Sequence, residues 1–390
     1  VSSQQYFHDG LLATNGYAER KKCTPNALGR GNCTMENLVI SDQFWCGKRV
    51  LVTGHSGFKG GWLSLWLNEL GARVYGYSLA PTPESEFYNR VYSNGFIGEE
   101  EFADITDFKN FSECINKFKP DIIFNLAAQP LVRASYDEPA STFAINTMGV
   151  VNLLEAVRRS PIEPTIVNVT TDKVYSNKEW IWAYREYEEL GGNDPYSASK
   201  ACSEIITNSY VKSFFKSSSV KIATARAGNV IGGGDMSKDR LVPDYLRAIT
   251  NGSKVLIMNP QATRPWQHVL EPVLGYIQLA EKMASSKDDT YTGPWNFGPS
   301  GDPVSVIDVV TMLSEISNKK NYKIDLSSNP HEAQCLMLDS AKARNILGWK
   351  PRLTLETALK MTFSWFQLSI ENADMQSFAK SQIKEYQSYE

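Results

Sequence analysis

Between residues 48 and 169, short apolar runs alternate with longer stretches in which apolar residues recur every three or four positions. The short runs predict β-strands, and the longer stretches predict helices with a buried face. The predicted strands cover 50–53, 74–77, 122–126 and 166–169, and the predicted helices cover 59–70, 108–117 and 142–158. This alternation predicts an α/β fold built on a doubly wound parallel sheet, in which ligands bind beyond the carboxyl ends of the strands.

The first predicted strand runs into a glycine-punctuated turn, GHSGFKGG, and the second strand completes a βαβ unit after the helix. Glycines at three-residue spacing let the backbone approach a pyrophosphate, to which the helix N-terminus offers free N–H groups. The turn therefore predicts dinucleotide binding, although an ordinary strand-to-helix turn could carry the same glycines and leave its polar residues in solvent. The candidate cofactor contacts in the turn are Gly54, His55, Gly57, Phe58, Lys59 and Gly60.

Of the next two predicted strand ends, one lacks a feature that is common in NAD proteins and the other has residues suited to a cofactor. The strand at 74–77 runs into Ser78, Leu79 and Ala80, without the acid that commonly holds an adenine ribose in NAD proteins and without an arginine that would favour NADP. After the strand at 122–126, small residues let the chain pass close to a flat cofactor. Asn146 is either a cofactor neighbour or a purely structural residue. The candidate contacts outside the glycine turn are Asp104, Ile105, Leu126, Ala127, Ala128, Gln129 and Asn146.

A group of reactive side chains directly follows the strand predicted at 166–169. Thr171, Asp172 and Lys173 place a hydroxyl, a carboxylate and an amine together at a strand end of the kind that binds ligands. A surface turn with a local salt bridge would have the same composition. The triplet therefore gains weight only from the motifs around it.

Tyr196 and Lys200 lie four residues apart in a predicted helix that begins at Pro195 and reaches about residue 215, so both side chains share one helix face. A free tyrosine has a pKa near ~10. A neighbouring ammonium and a positively charged nicotinamide would favour the tyrosinate and make it a usable base near neutral pH. The pair follows the glycine turn by about 140 residues, and the two motifs together are a strong functional signal.

From Lys48 onward, the chain resembles the extended short-chain dehydrogenase/reductase family, and within it the nucleotide-sugar 4,6-dehydratases. The blocks that carry the resemblance, in their expected order, are GHSGFKGGWLSLWL, AAQPLVRASY, SNKEWIWAYRE, RAGNVIGGGD, RPWQHVLEP, WNFGP and PHEA. With lysine in the third place of the triplet, the chain is similar to the members of this family that act on CDP-glucose. The resemblance implies a Rossmann domain that binds NAD, a smaller and mostly C-terminal α/β substrate domain, and a product for deoxysugar or O-antigen biosynthesis.

The resemblance also implies a catalytic role for each of five residues. Tyr196 would take the proton of the sugar 4-hydroxyl, Lys200 would hold the nicotinamide ribose and lower the tyrosine pKa, and Thr171 would hydrogen-bond the 4-oxygen. Lys173 would remove the proton on carbon 5, which is reasonable if neighbouring cations lower its pKa. Asp172, if protonated in a desolvated site, would donate to the departing 6-hydroxyl.

The substrate side of the site is also implied by the resemblance. Arginine suits a diphosphate because it can bind two oxygens at once, which favours Arg247 and Arg264, although either could be a surface charge. Leu241 and Val242 are expected to line the base through backbone groups. The candidate substrate contacts are Gln129, Arg133, Asn229, Leu241, Val242, Arg247, Arg264, Asn296 and His331.

The expected domains interleave in sequence. Residues 1–46 are predicted to be a disordered extension. The NAD-binding domain is expected at 47–226 plus about 266–292, and the nucleotide-sugar domain at 227–265 plus 293–390. The family pattern implies a homodimer, or a dimer of dimers, that pairs through the helices at 142–158 and 197–215.

Composition narrows the partners and the compartment. With 40 basic and 43 acidic residues the net charge is −3, which argues against nucleic acid or a membrane surface as a partner, and no apolar run approaches the ~20 residues of a spanning helix. Six cysteines without metal spacing indicate reduced thiols in a cytoplasmic protein, and four scattered histidines predict no metal site.

Two alternatives stay open on the sequence alone. An epimerase or reductase of the same fold would share the glycine turn, Tyr196 and Lys200, but it needs neither an acid for a 6-hydroxyl nor a base for carbon 5. A dinucleotide-sensing protein without turnover would need neither member of the Tyr196–Lys200 pair. The triplet at 171–173 therefore separates a dehydratase from an epimerase or reductase, and the intact Tyr196–Lys200 pair argues against a sensor.

Overall fold

The computed structural model describes residues 40–325 and 335–389. Its centre is a seven-stranded sheet in the order β11-β6-β5-β4-β1-β2-β3, with every neighbouring pair parallel. The strands are β1 Arg49–Thr53, β2 Arg73–Ser78, β3 Glu99–Phe102, β4 Ile122–Asn125, β5 Thr165–Val169, β6 Lys221–Ala227 and β11 Gly293–Phe297. The strand order reverses between β1 and β4, so the carboxyl ends of these two strands border the crevice where such sheets bind ligands.

Successive residues of the central strands enter two different hydrophobic cores. Val50 and Val52 of β1 pack into one core, whereas Leu51 between them packs into the other. Ile122 and Ile123 of β4 divide in the same way. Because both faces of a parallel sheet are covered by helices, its strands are apolar almost throughout, which explains the short apolar runs in the sequence.

The helices that cover the sheet occupy most of the predicted positions. They are α2 Phe58–Glu69, α3 Glu86–Val91, α4 Phe108–Phe118, α5 Val132–Asp137, α6 Pro139–Phe143, α7 Gly149–Arg159, α8 Pro195–Tyr210 and α10 Leu270–Ser285. A π-turn at Ala144–Met148 joins α6 to α7, and another at Val211–Phe215 extends α8.

The joined helix Pro139–Arg159 corrects one expectation from composition. Its 21 residues, with a mean hydropathy of 1.2, are long and apolar enough to cross a membrane by those two criteria. Half of its apolar window is buried, and it packs against α4 and α8. A core helix has the same length and composition, so the finding is weak evidence for a membrane span.

The remaining elements build a second lobe beside the carboxyl edge of the sheet. Its own core contains Tyr245, Val309 and Phe363. The elements are α9 Leu241–Asn251, α11 Val306–Ser317 and α12 Leu355–Ile370, with the short strands β7 Val230–Ile231, β8 Val255–Ile257, β9 Thr263–Arg264, β10 Gln267–His268, β12 Val304–Ser305 and β13 Tyr322–Ile324. The last helix, α13 Met375–Ser388, buries its apolar side chains in the first core. The short strands pair as β7 with β10, β8 with β13, and β9 with β12.

The structure shifts three of the expected domain boundaries. Residues 40–46 belong to the folded part, since Ile40 and Trp45 are buried and the short helix α1 Asp42–Trp45 precedes β1. Strand β11 joins the main sheet, whereas the sequence predicts 293–297 in the substrate domain. The C-terminal segment returns to the first core through Trp349 and Tyr386. Residues 1–39 of the predicted extension lie outside the described residues.

Candidate active site

The glycine turn after β1 packs directly on the segment after β4. Gly54 has a φ of +71°, and a Cβ there would lie 2.9 Å from the backbone nitrogen of Ala127. A Cβ on Gly60 would lie 2.1 Å from the Gly54 carbonyl oxygen. The Thr53 hydroxyl accepts the N–H groups of Leu126 and Ala127, both at 3.1 Å. Only glycine fits at the two turn positions, and the turn is held at the strand-order reversal.

The outer face of the turn has room for a pyrophosphate. Helix α2 begins at Phe58 with exposed Gly57 as its N-cap. Among the described residues, and apart from its chain neighbours, only the Gly54 carbonyl lies within 4 Å of the place where a Cβ on Gly57 would stand. The first amides of a helix lack partners inside the helix and attract anions. The Phe58 ring instead packs toward Gly232, so its contact with a cofactor would come from the backbone. These residues fit the phosphates of a dinucleotide.

His55 does not face that open side, which corrects the expectation of a cofactor contact from its side chain. The ring is fully buried, its Nε2 lies 3.0 Å from Glu100 Oε2, and it stacks on Phe102. Burial lowers the pKa of His55, while Glu100 works against that shift. His55 therefore supports the turn from inside.

The segment after β4 is braced by Asn146, which the sequence left as either a ligand contact or a structural residue. Its amide accepts the Gln129 N–H at 2.8 Å and donates to the Gln129 carbonyl at 3.1 Å and to Ser199 Oγ at 2.9 Å. The Gln129 side chain donates to Thr142 Oγ1 at 2.9 Å. Both side chains make hydrogen bonds within the protein, and these bonds hold the half-buried segment 126–129 in place. The geometry favours the structural reading of Asn146.

On the predicted adenine side, hydroxyl groups stand where the usual acid is missing. Ser78 Oγ donates to Ser56 Oγ at 2.9 Å. Asp104 and Ile105 follow β3, as the cofactor prediction requires, and their loop is fixed because Asp104 accepts the Thr106 N–H at 2.8 Å. Ile105 is buried.

Helix α8 and the end of β5 bring the catalytic candidates together. Lys200 Nζ donates to the Val169 carbonyl at 3.3 Å, which ties the helix to the strand end. The side chain of Thr171 caps the 3-10 turn Asp172–Val174, which carries the second and third members of the triplet. Tyr196 is buried, and the Thr171 side chain acts on its pKa. The sequence separated these groups by more than twenty residues, and the fold joins them.

The pKa values of the Tyr196–Lys200 pair differ from the simple expectation. Burial raises the pKa of Tyr196 to about 12, against the opposing effects of Thr171 and the Arg240 charge. In the chain on its own burial outweighs these effects, so the lowering by Lys200 together with a nicotinamide stays a prediction for the loaded site. Burial and the charge of Lys59 lower the pKa of Lys200 to about 8, and the charge of Glu204 opposes them.

Asp172 is a buried carboxyl, as its expected role as a proton donor needs. It is 1% exposed, and its Oδ1 accepts the Thr171 hydroxyl at 2.9 Å. Within 40–325 and 335–389, its Oδ2 has no hydrogen-bond partner. Burial raises the pKa of Asp172, although Lys173, Thr171, Arg264 and Lys59 work against that shift. A carboxyl in this setting is suited to hold a proton and donate it.

The loop before α9 contains a cation that the sequence analysis missed. Arg240 Nη1 lies 3.0 Å from Asp235 Oδ2, and its charge lowers the pKa values of Tyr196 and Lys59. Burial is the larger cause at Lys59, whose pKa falls to about 8. The available signal was an arginine shortly after the RAGNVIGGGD block.

All three predicted substrate arginines have protein partners in this structure. Arg247 donates to the carbonyls of Met236 at 2.6 Å and Ser237 at 3.1 Å and pairs with Asp244, so it braces the loop before α9. Exposed Arg133 pairs with Asp239 at 2.6 Å. Arg264 is the best placed of the three, since it is buried and its charge acts on Asp172.

Asn296 is too deeply engaged to contact a substrate, which corrects that expectation. Its Oδ1 accepts the Tyr175 hydroxyl at 2.7 Å, and its Nδ2 donates to the carbonyls of Tyr184 at 2.9 Å and Asp339 at 3.1 Å. The residue is fully buried at the end of β11.

The other substrate candidates have mixed positions. Asn229 is half-buried after β6, and its carbonyl accepts the Gln267 N–H at 3.0 Å. Leu241 and Val242 begin α9, and the Val242 side chain is buried in the second core, so only its backbone remains for a ligand. His331 lies outside the described residues. In the described part of the chain, no group of three His, Cys, Asp or Glu residues could hold a metal.

Comparison with known proteins gives one family and several relatives. The model of the GDP-mannose 4,6-dehydratase family matches residues 51–362. The chain is 44% identical over 358 residues to the CDP-glucose 4,6-dehydratase of Salmonella typhimurium, covering 90% of this chain and 99% of that protein.

Two solved structures share the fold. The UDP-glucose 4-epimerase of Thermotoga maritima with UDP-glucose has a TM-score of 0.71 at 23% identity, over 82% of this chain and 99% of that one. The dTDP-glucose 4,6-dehydratase of Bacillus anthracis in complex with NAD has a TM-score of 0.68 at 20% identity, over 84% and 98%. At such identities the likeness concerns the fold, which hosts more than one reaction.

Proposed function

The chain belongs to the GDP-mannose 4,6-dehydratase family, and from that premise we propose that it is an NAD-dependent hydro-lyase that converts CDP-glucose to CDP-4-dehydro-6-deoxy-D-glucose and water. The choice of CDP-glucose follows the relative at 44% identity. The observation that carries the reaction type is Asp172, a buried carboxyl with one unpartnered oxygen beside Thr171, Lys173 and Tyr196.

The first half of the proposed reaction takes place at carbon 4 of the sugar. Bound NAD supplies reversible oxidation of the sugar. Tyr196 removes the proton of the 4-hydroxyl, and the Thr171 hydroxyl orients the 4-oxygen. Because burial raises the pKa of Tyr196, the positive charges of Arg240, Lys200 and the oxidised nicotinamide are needed to bring it toward neutral pH.

The second half removes water across carbons 5 and 6. The 4-ketone acidifies the proton on carbon 5, and Lys173 takes that proton. Asp172, protonated because burial raises its pKa, donates to the 6-hydroxyl, which leaves as water. The double bond between carbons 5 and 6 is then reduced, so the cofactor ends in its starting state.

The assay that tests this function combines four nucleotide sugars with the purified protein and NAD. CDP-, dTDP-, GDP- and UDP-linked glucose or mannose are incubated separately, alkali is added, and the absorbance of a 4-keto-6-deoxy product is recorded. We expect keto product from CDP-glucose and no net formation of NADH. A 4-epimer without keto product would instead establish an epimerase, and binding without any turnover would establish a dinucleotide sensor.

We further propose a homodimer, or a dimer of two such dimers, that forms through Pro139–Arg159 and α8. Met148 and Ile205 on these helices, and Phe214 in the Val211–Phe215 segment that extends α8, are half or more exposed, and such apolar surface is suited to a partner. Ile205→Glu is expected to give a monomer by light scattering after size-exclusion chromatography, whereas an unchanged mass would place the interface elsewhere.

A cytoplasmic location and a role in deoxysugar or O-antigen biosynthesis complete the proposal. The four described cysteines, Cys46, Cys114, Cys202 and Cys335, are free thiols, which suits a reducing compartment. The product is a keto sugar on a nucleotide carrier, a form that reductases or aminotransferases can use next.

A further inference from the structure

Behind the catalytic triplet lies a buried ion pair that the proposed chemistry does not use. Glu204 of α8 and Arg226 of β6 are almost fully buried. Glu204 Oε1 accepts the Thr170 hydroxyl at 2.5 Å and Arg226 Nε at 2.8 Å. Its Oε2 accepts the Thr224 hydroxyl at 2.6 Å and Arg226 Nη2 at 2.9 Å. The carboxylate thus receives four hydrogen bonds, two of them from one guanidinium.

The network reaches the catalytic triplet from both sides. Thr170 directly precedes Thr171, and the hydroxyl of Tyr175, which closes the 3-10 turn, accepts Arg226 Nη1 at 2.8 Å. Arg226 Nη1 also donates to the Glu186 carbonyl at 2.9 Å. The segment that carries the triplet is therefore attached to the pair at both of its ends.

The same pair is attached to the helix that carries the other catalytic candidates. Glu204 lies one helical turn after Lys200 and two turns after Tyr196. Its negative charge acts on Lys200, against the effects of burial and of Lys59 from α2. The charge of Lys59 also acts on Asp172. A single carboxylate therefore joins the two sets of reactive groups.

The proposed reaction needs a fixed connection between the two sets of side chains, because they act in turn on different carbons of the same bound sugar. Tyr196 and Thr171 act at carbon 4, whereas Asp172 and Lys173 act at carbons 5 and 6. A misplacement of about 1 Å can cost about a hundredfold in rate. Both sets must therefore keep a fixed separation.

We propose that Glu204, through its bonds to Thr170 and Arg226, is a positioning residue that fixes the Thr171–Lys173 segment against Tyr196 and Lys200. The inference rests on the proposed function. Its specific consequence is that loss of Glu204 uncouples the two halves of the reaction: oxidation at carbon 4 continues, and elimination at carbons 5 and 6 becomes slow.

The test is Glu204→Gln in the full chain with NAD and CDP-glucose. Glutamine keeps the shape but presents an NH₂ group to the donors of Arg226 or of the threonines. We expect kcat for keto product to fall by about 10–100-fold with little change in KM, and reduced cofactor to accumulate on the enzyme during turnover. We also expect the alkaline limb of the pH profile to move to lower pH, since Lys200 loses the charge that raises its pKa.

Two variants separate positioning from general loss of stability. Glu271→Gln alters another buried carboxylate, whose hydrogen bonds come from the N–H groups of Arg352 at 2.8 Å and Leu353 at 2.7 Å and from the Tyr386 hydroxyl at 2.6 Å, none of them in the Glu204 network. It should lower the Tm and leave the pH limb and the cofactor signal unchanged. Thr170→Val keeps the ion pair and removes one bond, so it should give a smaller accumulation of reduced cofactor even if Glu204→Gln does not fold.

The possible outcomes distinguish the inference from the proposed function. A wild-type protein that makes no keto product from any nucleotide sugar would overturn the proposed function and this inference with it. An active wild type whose Glu204→Gln and Thr170→Val variants accumulate no reduced cofactor would overturn the positioning role alone. If Glu204→Asp restores the wild-type alkaline limb of the pH profile but not kcat, the carboxylate charge sets the limb and its exact position sets the rate, as the positioning role predicts.

Discussion

Asp172 and Glu204 are two buried carboxylates on either side of the end of β5, and they differ in their partners. Glu204 receives four hydrogen bonds, two of them from Arg226. Asp172 receives one from Thr171, and its second oxygen has no partner in the part of the chain that the structure describes. A buried charge is tolerated where it is paired, and an unpaired carboxyl takes up a proton instead. The comparison separates a region built to hold geometry from one left open for a ligand.

The largest effect that this comparison predicts is for Asp172→Asn. We expect keto-product formation to fall by about a thousandfold, because general acid catalysis contributes about 10²–10⁴-fold. Stability should stay the same or rise, since no ion pair is broken. The measurements are the alkaline absorbance assay and thermal unfolding. A variant that keeps more than a tenth of the wild-type rate would remove Asp172 as the acid.

Arg226→Met tests the other region, and its effect should appear in stability. It leaves the Glu204 charge buried without its main partner, which costs about 3–5 kcal/mol. Urea unfolding measures the loss. The matched control is Arg133→Met, which breaks the exposed pair with Asp239 and should cost about 0–1 kcal/mol. Equal losses in both variants would mean that burial does not distinguish the two pairs.

Asn296→Ala should have a smaller effect, of the same kind as Arg226→Met. Its three side-chain hydrogen bonds are internal, so we expect a loss of about 1–3 kcal/mol in stability and an unchanged KM for CDP-glucose. Asn89→Ala, which removes an exposed bond to the Thr82 carbonyl, is the control for stability. A severalfold rise in KM would restore Asn296 as a substrate contact.

The sequence predicted those parts of the fold whose signal is local. Strands β1, β2, β4 and β5 were predicted within a residue or two at each end, because a buried parallel strand is a short apolar run. Strand β3, read as EEEF, was missed since an edge strand can be acidic and still pair with β2. Strands β6 and β11 were missed because KIATARA and GPWNF contain charged, small or proline residues.

For the side chains of the site, too, the sequence predicted only what a local motif indicates. Tyr196, Lys200 and the Thr171–Lys173 triplet were identified from motifs, and the fold brings them together. The pairing of Glu204 with Arg226 joins residues 22 positions apart, and only the packing of α8 on β6 reveals it. His55 looked like a polar turn residue, but aromatic side chains from two distant segments bury it. Motifs report chemistry, whereas burial depends on the whole fold.

Lys59→Met should have the smallest effect, and its sign sharpens the comparison. Lys59 lowers the pKa values of both Asp172 and Lys200, although burial is the larger cause at each. Both groups act in their protonated forms in the proposed reaction, and Lys200 loses its proton as the pH rises through about 8. Removing Lys59 therefore moves the alkaline limb of kcat to higher pH, by about one unit or less.

This shift is opposite in sign to that expected for Glu204→Gln, because one variant raises the pKa of Lys200 and the other lowers it. Saturating NAD and CDP-glucose keep binding from contributing to the profile. The control is Lys360→Met, which removes an exposed lysine of α12 that pairs with Glu356 Oε1 at 2.6 Å. A limb that moves to lower pH in Lys59→Met would mean that neither Asp172 nor Lys200 sets it. The distinction between Glu204 as a positioning residue and Asp172 as a catalytic one would then depend only on the measured rates of keto-product formation.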